Sequence, residues 1–260
     1  MHGRRSNSLL LLLSAPRIHS AAAALCTSPV GDASRLKAIQ RAARDGATTT
    51  ASEEAMIERV GGEHAATYGE ITPLGMTTLG KRMGLGADDV FADLGSGLGR
   101  AVVQAVAEFN VKRSVGVELA GSRHRRAMMQ LYDLDDGIAS RVRFVLGDCA
   151  DSELWGRGGC LEDVTALYIS SLLFAPPLMQ RLADRLATAP ACLRMVASLK
   201  PFPDAALLGG GGDDGAAIRW VKQPPEDCET SWTAGMLVAD AQGGMSPHPG
   251  SAIHVYVRAE

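Results

Sequence analysis

One stretch of the sequence, VFADLGSGLGR at residues 90–100, runs an apolar segment into Asp93 and then into glycines at alternate positions, Gly95, Gly97 and Gly99. Glycine adopts positive φ freely and has no Cβ, so the stretch predicts a strand, a sharp turn and a helix whose N-terminus approaches a ligand closely. In open α/β sheets, ligands bind at the carboxyl ends of the strands. The stretch therefore predicts an α/β fold with its binding site at this turn.

From Asp89 onward, β-rich runs alternate with runs of helical periodicity. This alternation predicts parallel strands joined by right-handed crossovers. Near the C-terminus, IRWVKQPP, SWTAGMLVAD and AIHVYVRAE are β-like without intervening helices, which predicts antiparallel edge strands. We expect a doubly wound, mostly parallel seven-stranded sheet with an antiparallel C-terminal edge.

The segments before the sheet have a different character. SRLKAIQRAAR and ASEEAMIERVGG have helical spacing, and Ser52, Glu53 and Glu54 supply start signals for the second helix. Residues 1–30 contain arginines and many Ser, Ala and Leu residues but no acid, which is typical of a targeting peptide. Their short apolar run favours a mitochondrial or plastid transit peptide; a secretion signal and an uncleaved disordered tail are the alternatives.

Composition restricts the partners. The net charge of −3 gives no overall electrostatic footprint for nucleic acid, and no direct nucleic-acid motif is present.

The five cysteines include no CxxC pair and the histidines have no ligand spacing, so we expect neither a disulfide framework nor a metal site. No segment after the N-terminal region has transmembrane length, so no membrane partner is expected. The basic run RHRR at residues 123–126 is interpreted as a solvated first turn of a helix, and contact with an acidic protein surface or RNA is the alternative.

Three acids are placed to hold a cofactor. The turn has the spacing GxGxG rather than the dinucleotide fingerprint GxGxxG, and Asp93 would repel a pyrophosphate but attract a sulfonium or an α-amino group. This favours S-adenosyl-L-methionine over NAD. Glu118 ends the second predicted strand, where an acid can accept both ribose hydroxyls, and Asp148 ends the third, placed for the adenine amino group. The alternative for each acid is a purely structural role, as a helix N-cap or a turn carboxylate.

With these residues in place, the chain resembles the disruptor of telomeric silencing family, the non-SET histone lysine methyltransferases of class I. The likeness is carried in order by TYGEIT, DLGSGLGR, SVGVEL, LYISSLLFAPPLMQRL, VASLKPF and TSWT, between Glu63 and Glu260. Where the family has paired asparagines, this chain has Ser170 and Ser171, and the family's basic nucleosome-binding segment has no counterpart.

The resemblance implies a Rossmann-like class I methyltransferase that transfers a methyl group from S-adenosyl-L-methionine to a protein lysine. From this resemblance together with the N-terminal composition, we expect residues 1–30 to form a targeting or disordered tail, 31–85 to form N-terminal helices with the YGE loop, and 86–260 to form the S-adenosyl-L-methionine-binding catalytic domain. The expected catalytic residues are Tyr68, Ser170, Ser171, Phe174, Phe202 and Trp232. The expected cofactor-binding residues are Tyr68, Glu70, Asp93, Gly95, Gly97, Glu118 and Asp148.

The acceptor stays open. The resemblance implies a histone or nucleosome in the nucleus, whereas the N-terminal composition favours a protein of the mitochondrion or plastid. A catalytically decayed cofactor-binding module, a small-amine methyltransferase and a nicotinamide oxidoreductase are the alternative functions.

Overall fold

The computed structural model describes residues 48–203, 218–239 and 244–259. Segment 1–30, the predicted helix SRLKAIQRAAR and the glycine-rich GGGGDDG lie outside the described residues. The described strands are β1 Val90–Leu94, β2 Arg113–Glu118, β3 Val142–Leu146, β4 Ala166–Ile169, β5 Met195–Ser198, β6 Trp220–Lys222, β7 Glu226–Cys228, β8 Leu237–Ala239, β9 Met245–Pro247 and β10 Ser251–Arg258. The described α-helices are α1 Ala51–Gly61, α2 Pro73–Met83, α3 Arg100–Phe109, α4 Gly121–Gln130, α5 Asp136–Ala139, α6 Ser152–Trp155 and α7 Pro176–Ala187, and a 3₁₀ turn, Leu131–Asp133, follows α4.

The main sheet has the strand order β3-β2-β1-β4-β5-β10-β6. The first five strands are parallel, and β10 runs antiparallel to both β5 and β6. This confirms the predicted doubly wound, mostly parallel sheet with an antiparallel edge.

The strand count differs from the predicted seven, because the sheet contains eight strands. The short strands β6 and β7 pair with the two halves of β10, and the Gln223 N–H donates to the Val255 carbonyl between them. Pro224 and Pro225 separate the two strands. Proline has no N–H to donate to a ladder, so the edge is divided.

The segment SWTAGMLVAD does not extend the main sheet, which corrects the prediction. Residues 231–235 form a turn, and β8 pairs with β9 in a separate two-stranded ladder. The side chain of Thr233 stabilises the turn, because its Oγ1 accepts from the Thr230 N–H at 3.0 Å.

Two helix starts also differ from expectation. The N-cap of α1 is Thr50 rather than Ser52, and Thr50 forms a capping box with Glu53. Helix α2 was not predicted, although Thr72 as N-cap and Pro73 in its first turn are ordinary start signals.

Each face of the sheet buries its own apolar cluster. One cluster includes Met76 and Leu79 of α2 with Val102 of α3. The other includes Leu178 and Leu182 of α7. Helices on both faces leave the carboxyl ends of the parallel strands as the open edge, where ligands bind in such folds. None of the described helices is long and apolar enough to cross a bilayer.

Candidate active site

The glycine turn has the predicted geometry. Gly95, Gly97 and Gly99 have φ of 82°, 54° and 78°, a region that other residues rarely adopt. The N–H groups of Gly95 and Ser96 both donate to the Val117 carbonyl, at 2.9 and 3.0 Å, and Gly99 is the N-cap of α3. The turn therefore joins β1 to α3 directly beside the end of β2.

Asp93 is buried at the carboxyl end of β1. Its side chain is 4% exposed, and its Oδ1 has no hydrogen-bond partner within the described part of the chain. Burial raises the pKa of Asp93 to about 8, and the neighbouring carboxylates of Glu118 and Glu70 act in the same direction. A buried carboxyl group with a free oxygen beside a glycine turn is suited to a cationic ligand.

The other two predicted acids also lie at this edge, but with partners. Glu118 accepts from the Gly97 N–H at 2.8 Å and from the Ala120 N–H at 2.7 Å, so it fixes the turn. Asp148 accepts from the Ala150 N–H at 2.9 Å and pairs with Arg181 at 2.7 Å. A carboxylate has about four lone-pair sites, so both groups retain capacity for a ligand.

The TYGEIT loop at residues 67–72 covers the turn. The Tyr68 hydroxyl donates to Glu70 at 2.7 Å, and Glu70 forms an ion pair with Arg100 of α3. Burial and the adjacent Glu70 hold the pKa of Tyr68 well above its usual value. A Cβ placed on Gly97 would lie only 2.8 Å from the Tyr68 ring. The absence of a side chain at Gly97 therefore lets the loop close onto the turn.

The late SWT segment holds this loop in place. The Ser231 N–H donates to the Glu70 carbonyl at 2.8 Å, and the Glu70 N–H donates to the Ser231 hydroxyl at 3.1 Å. The ring of Trp232 packs on Gly69, where an added Cβ would lie 2.4 Å from the ring. Trp232 therefore supports the loop, and it is not among the residues lining the two cavities described below.

The prediction of a solvated RHRR run is wrong for its first residue. Arg123 is buried, its guanidinium lies 5.1 Å from the centre of the Tyr68 ring, and it donates to the Ala66 carbonyl at 2.6 Å. Arg125 and Arg126 are exposed, as expected. Arg123 thus makes a cation–π contact with Tyr68.

Two adjoining cavities open at this edge, with about 670 and 310 Å³ of empty volume. Both are lined by Tyr68, Gly69, Gly95, Gly97 and Ser170. The larger cavity adds Glu118, Asp148, Phe174 and Arg123, among others. The smaller adds Glu70, Asp93, Ser96, Arg100 and Tyr168, among others. Every predicted cofactor-binding residue therefore lines one or both cavities.

The structure brings only some of the predicted catalytic residues to these cavities. Ser171 is fully buried, with its hydroxyl 2.6 Å from that of Ser198, and it accepts from the Lys200 N–H. Phe202 packs edge-to-face on Tyr256 at 5.7 Å in the core. Neither residue lines the cavities, in contrast to Ser170 and Phe174.

Sequence reasoning missed Ser96, Arg100, Arg123 and Tyr168 as lining residues. Within the described residues, no group of three or more His, Cys, Asp or Glu side chains converges as a metal site would require.

Comparison with known proteins identifies a family and several relatives. The family model described as "Histone methylation protein DOT1" matches residues 61–234. A histone-lysine N-methyltransferase, H3 lysine-79 specific, of Kluyveromyces lactis is 43% identical over 67 residues, which are 26% of this chain and 12% of that protein. A protein-lysine N-methyltransferase of Saccharolobus islandicus is 39% identical over 61 residues, 24% of this chain and 37% of that protein. The chain thus spans a minor part of these relatives.

Among solved structures, an RNA methyltransferase from Salinibacter ruber is 20% identical with a TM-score of 0.41, covering 70% of this chain and 86% of that one. A precorrin methyltransferase from Geobacter metallireducens is 13% identical with a TM-score of 0.44, covering 72% and 87%.

The strand order and the glycine turn define the Rossmann-like fold of class I methyltransferases. The family model matches more than half of the residues, so the chain belongs to the DOT1 family of histone methylation proteins. The match begins close to Glu63, where the resemblance was expected to start, and ends at residue 234, before the expected end at Glu260.

Proposed function

We propose that this chain is an S-adenosyl-L-methionine-dependent protein-lysine N-methyltransferase. The observation that carries the proposal is the unsatisfied oxygen of Asp93, buried beside the glycine turn and without a partner among the described residues. Burying a carboxylate is costly unless a cation pairs with it. S-adenosyl-L-methionine carries an α-ammonium and a sulfonium, whereas the pyrophosphate of NAD would be repelled. Membership of the DOT1 family supports a protein acceptor, and the names of the relatives support lysine as the methylated residue.

The residues present fit this cofactor along the whole edge. Asp93, Glu70 and Tyr68 would hold the amino-acid end, since they line the smaller cavity. Gly95 and Gly97 allow close approach of the backbone. Glu118 and Asp148 line the larger cavity and would take the ribose and the adenine, respectively.

When bound, this cofactor would supply an electrophilic methyl carbon to the lysine nitrogen, and the electron pair of the broken C–S bond would stay on sulfur. The protein has to deliver a neutral, aligned amine. Phe174 and Tyr68 would form apolar walls, and loss of hydration there lowers the pKa of the lysine ammonium. Ser170 lines both cavities and, under this proposal, would accept an amine hydrogen and set the angle of attack.

Two acceptor classes each have a supporting observation. The family match favours a histone, and the acid-free, Arg- and Ser-containing composition of residues 1–30 favours an organellar protein. The relatives' names are consistent with a lysine acceptor in either case.

Methyl transfer from isotopically labelled S-adenosyl-L-methionine tests the proposal. The full chain would be offered nucleosomes and, separately, a mitochondrial or plastid extract, and labelled residues would be identified by mass spectrometry. We expect label on lysine nitrogen. Binding of the cofactor without label on any protein would instead favour a non-catalytic module.

Ser170→Ala provides a matched control for the transfer step. Because Ser170 lines the cavities but carries no charge to pair with the cofactor's ammonium, we expect unchanged cofactor affinity and slower transfer, by roughly tenfold for one lost hydrogen bond. Transfer at the wild-type rate would remove Ser170 from the mechanism.

A further inference from the structure

The smaller cavity concentrates unsatisfied polar atoms. In the described part of the chain, six buried side-chain polar atoms have no hydrogen-bond partner, and three of them belong to residues that line this cavity. They are Asp93 Oδ1, Ser96 Oγ and the hydroxyl of Tyr168. Native proteins satisfy nearly all buried polar groups, so three together indicate a polar ligand.

The sheet register places these groups side by side. Asp93 pairs with Gly116 of β2 on one side and with Tyr168 of β4 on the other. Residues paired in register on adjacent strands point to the same face of a sheet. Gly116 has no side chain, and a Cβ there would lie 2.7 Å from Ser96 Oγ, so the Ser96 hydroxyl occupies the space over Gly116. Ser96 and Tyr168 therefore flank Asp93.

Packing alone does not explain a tyrosine at this position. Tyr168 is 1% exposed and belongs to a core cluster of buried hydrophobic residues. Phenylalanine would fill the same space without burying an unsatisfied hydroxyl, which costs free energy. Burial raises the pKa of Tyr168 above its usual value, so the phenol keeps its proton and remains a donor.

We propose that Tyr168 and Ser96 complete the subsite for the amino-acid end of the cofactor, with Asp93 accepting from the ammonium and the Tyr168 hydroxyl donating to the carboxylate. This inference rests on the proposed function and assigns Tyr168 as a specificity-determining residue. The Tyr168 hydroxyl would distinguish S-adenosyl-L-methionine from adenine nucleosides that lack the amino-acid end.

The test compares two ligands on two tyrosine variants. The dissociation constants of S-adenosyl-L-methionine and of 5′-methylthioadenosine, which lacks the amino-acid end, would be measured for the wild-type chain and for Tyr168→Phe. We expect Tyr168→Phe to lower the affinity for S-adenosyl-L-methionine about tenfold, which is the usual effect of losing one hydrogen bond to a charged group. The affinity for 5′-methylthioadenosine should stay unchanged. Its thermal stability without ligand should not fall, because an unsatisfied hydroxyl is removed.

Tyr256→Phe is the matched control. Tyr256 is also a fully buried tyrosine, but its hydroxyl accepts from the Phe202 N–H at 3.0 Å, away from both cavities. We expect this variant to lose stability and to bind both ligands as the wild type does. Ser96→Ala is a second probe and should shift the ligand preference in the same direction as Tyr168→Phe.

The outcomes separate the two proposals. Equal affinities in Tyr168→Phe and wild type, or equal losses for both ligands, would overturn the role of Tyr168 while leaving the proposed function intact. A wild-type chain that binds neither ligand would overturn the proposed function and, with it, this inference.

Discussion

Two buried aspartates at opposite ends of one strand have opposite environments. Asp89, just before β1, accepts from the Gly86 N–H at 3.0 Å, from the Thr165 hydroxyl at 2.7 Å and from the Arg194 guanidinium at 2.9 Å. Asp93, near the end of β1, has an oxygen with no partner among the described residues.

Their pKa values reflect the difference. Burial acts to raise the pKa of Asp89, but hydrogen bonds from Arg194 and Thr165 outweigh it and hold the pKa below the usual value. For Asp93, burial is unopposed and raises the pKa to about 8. The amino end of the strand is therefore stabilised within the protein itself, whereas at the carboxyl end the described residues leave Asp93 Oδ1 without a partner, and under the proposed function the cofactor would supply one.

The largest expected effect is that of Asp93→Asn on cofactor binding. Removing one partner of a buried charge pair should lower the affinity for S-adenosyl-L-methionine at least about 100-fold. Folding stability at neutral pH should be unchanged or higher, since no internal partner is lost. Calorimetric titration and urea unfolding would measure the two quantities. A variant that binds the cofactor normally but unfolds more readily would reverse the assigned roles.

Asp89→Asn should show the opposite behaviour. The charge that pairs with Arg194 is lost, and because Arg194 is partly exposed the expected decrease in the free energy of unfolding is about 2 kcal/mol. Cofactor affinity should stay within about twofold, because Asp89 lies at the other end of the strand. The same titration and urea unfolding apply, and a loss of affinity without a loss of stability would contradict the comparison.

A smaller effect is expected in the pH dependence of stability. An unfolded aspartate ionises near pH 3.9, so between about pH 4 and 8 the folded chain keeps a proton on Asp93 that the unfolded chain has released. Asp93 therefore lowers stability as pH rises through this window, by at most about 1.4 kcal/mol per pH unit. Asp89, with its lowered pKa, contributes stability that is lost only as pH falls below about 4.

Urea unfolding of the wild type and of Asp93→Asn at pH 5 and pH 8 would measure this dependence. The free energy of unfolding of the variant should exceed that of the wild type by an amount that grows towards pH 8. A difference that stays constant with pH would mean that Asp93 is already ionised in the folded protein.

Local sequence signals are sufficient to predict the strand, the turn and the helix around the glycines. Positive φ, the acid at the strand end and the following apolar helix are all encoded within residues 90–109. The three acids at successive strand ends were likewise predictable, because parallel strands bring their carboxyl ends to one edge.

Long-range pairing could not be predicted from such signals. The loop containing Glu70 is held by Ser231, 161 positions later. The sequence pattern predicts Tyr168 only as a strand residue. The register of β4 against β1 places it beside Asp93. The separation of Ser170 from Ser171 was partly foreseeable, since successive residues at a strand end point in opposite directions.

The most direct test of the central claim is a calorimetric titration of the chain with S-adenosyl-L-methionine near pH 6.5, in two buffers of different ionisation enthalpy. If Asp93 is protonated in the free protein and ionises to pair with the ammonium, binding should release about one proton, and Asp93→Asn should release none. Undiminished affinity of Asp93→Asn, with the same proton release as the wild type, would show that Asp93 does not hold the cofactor.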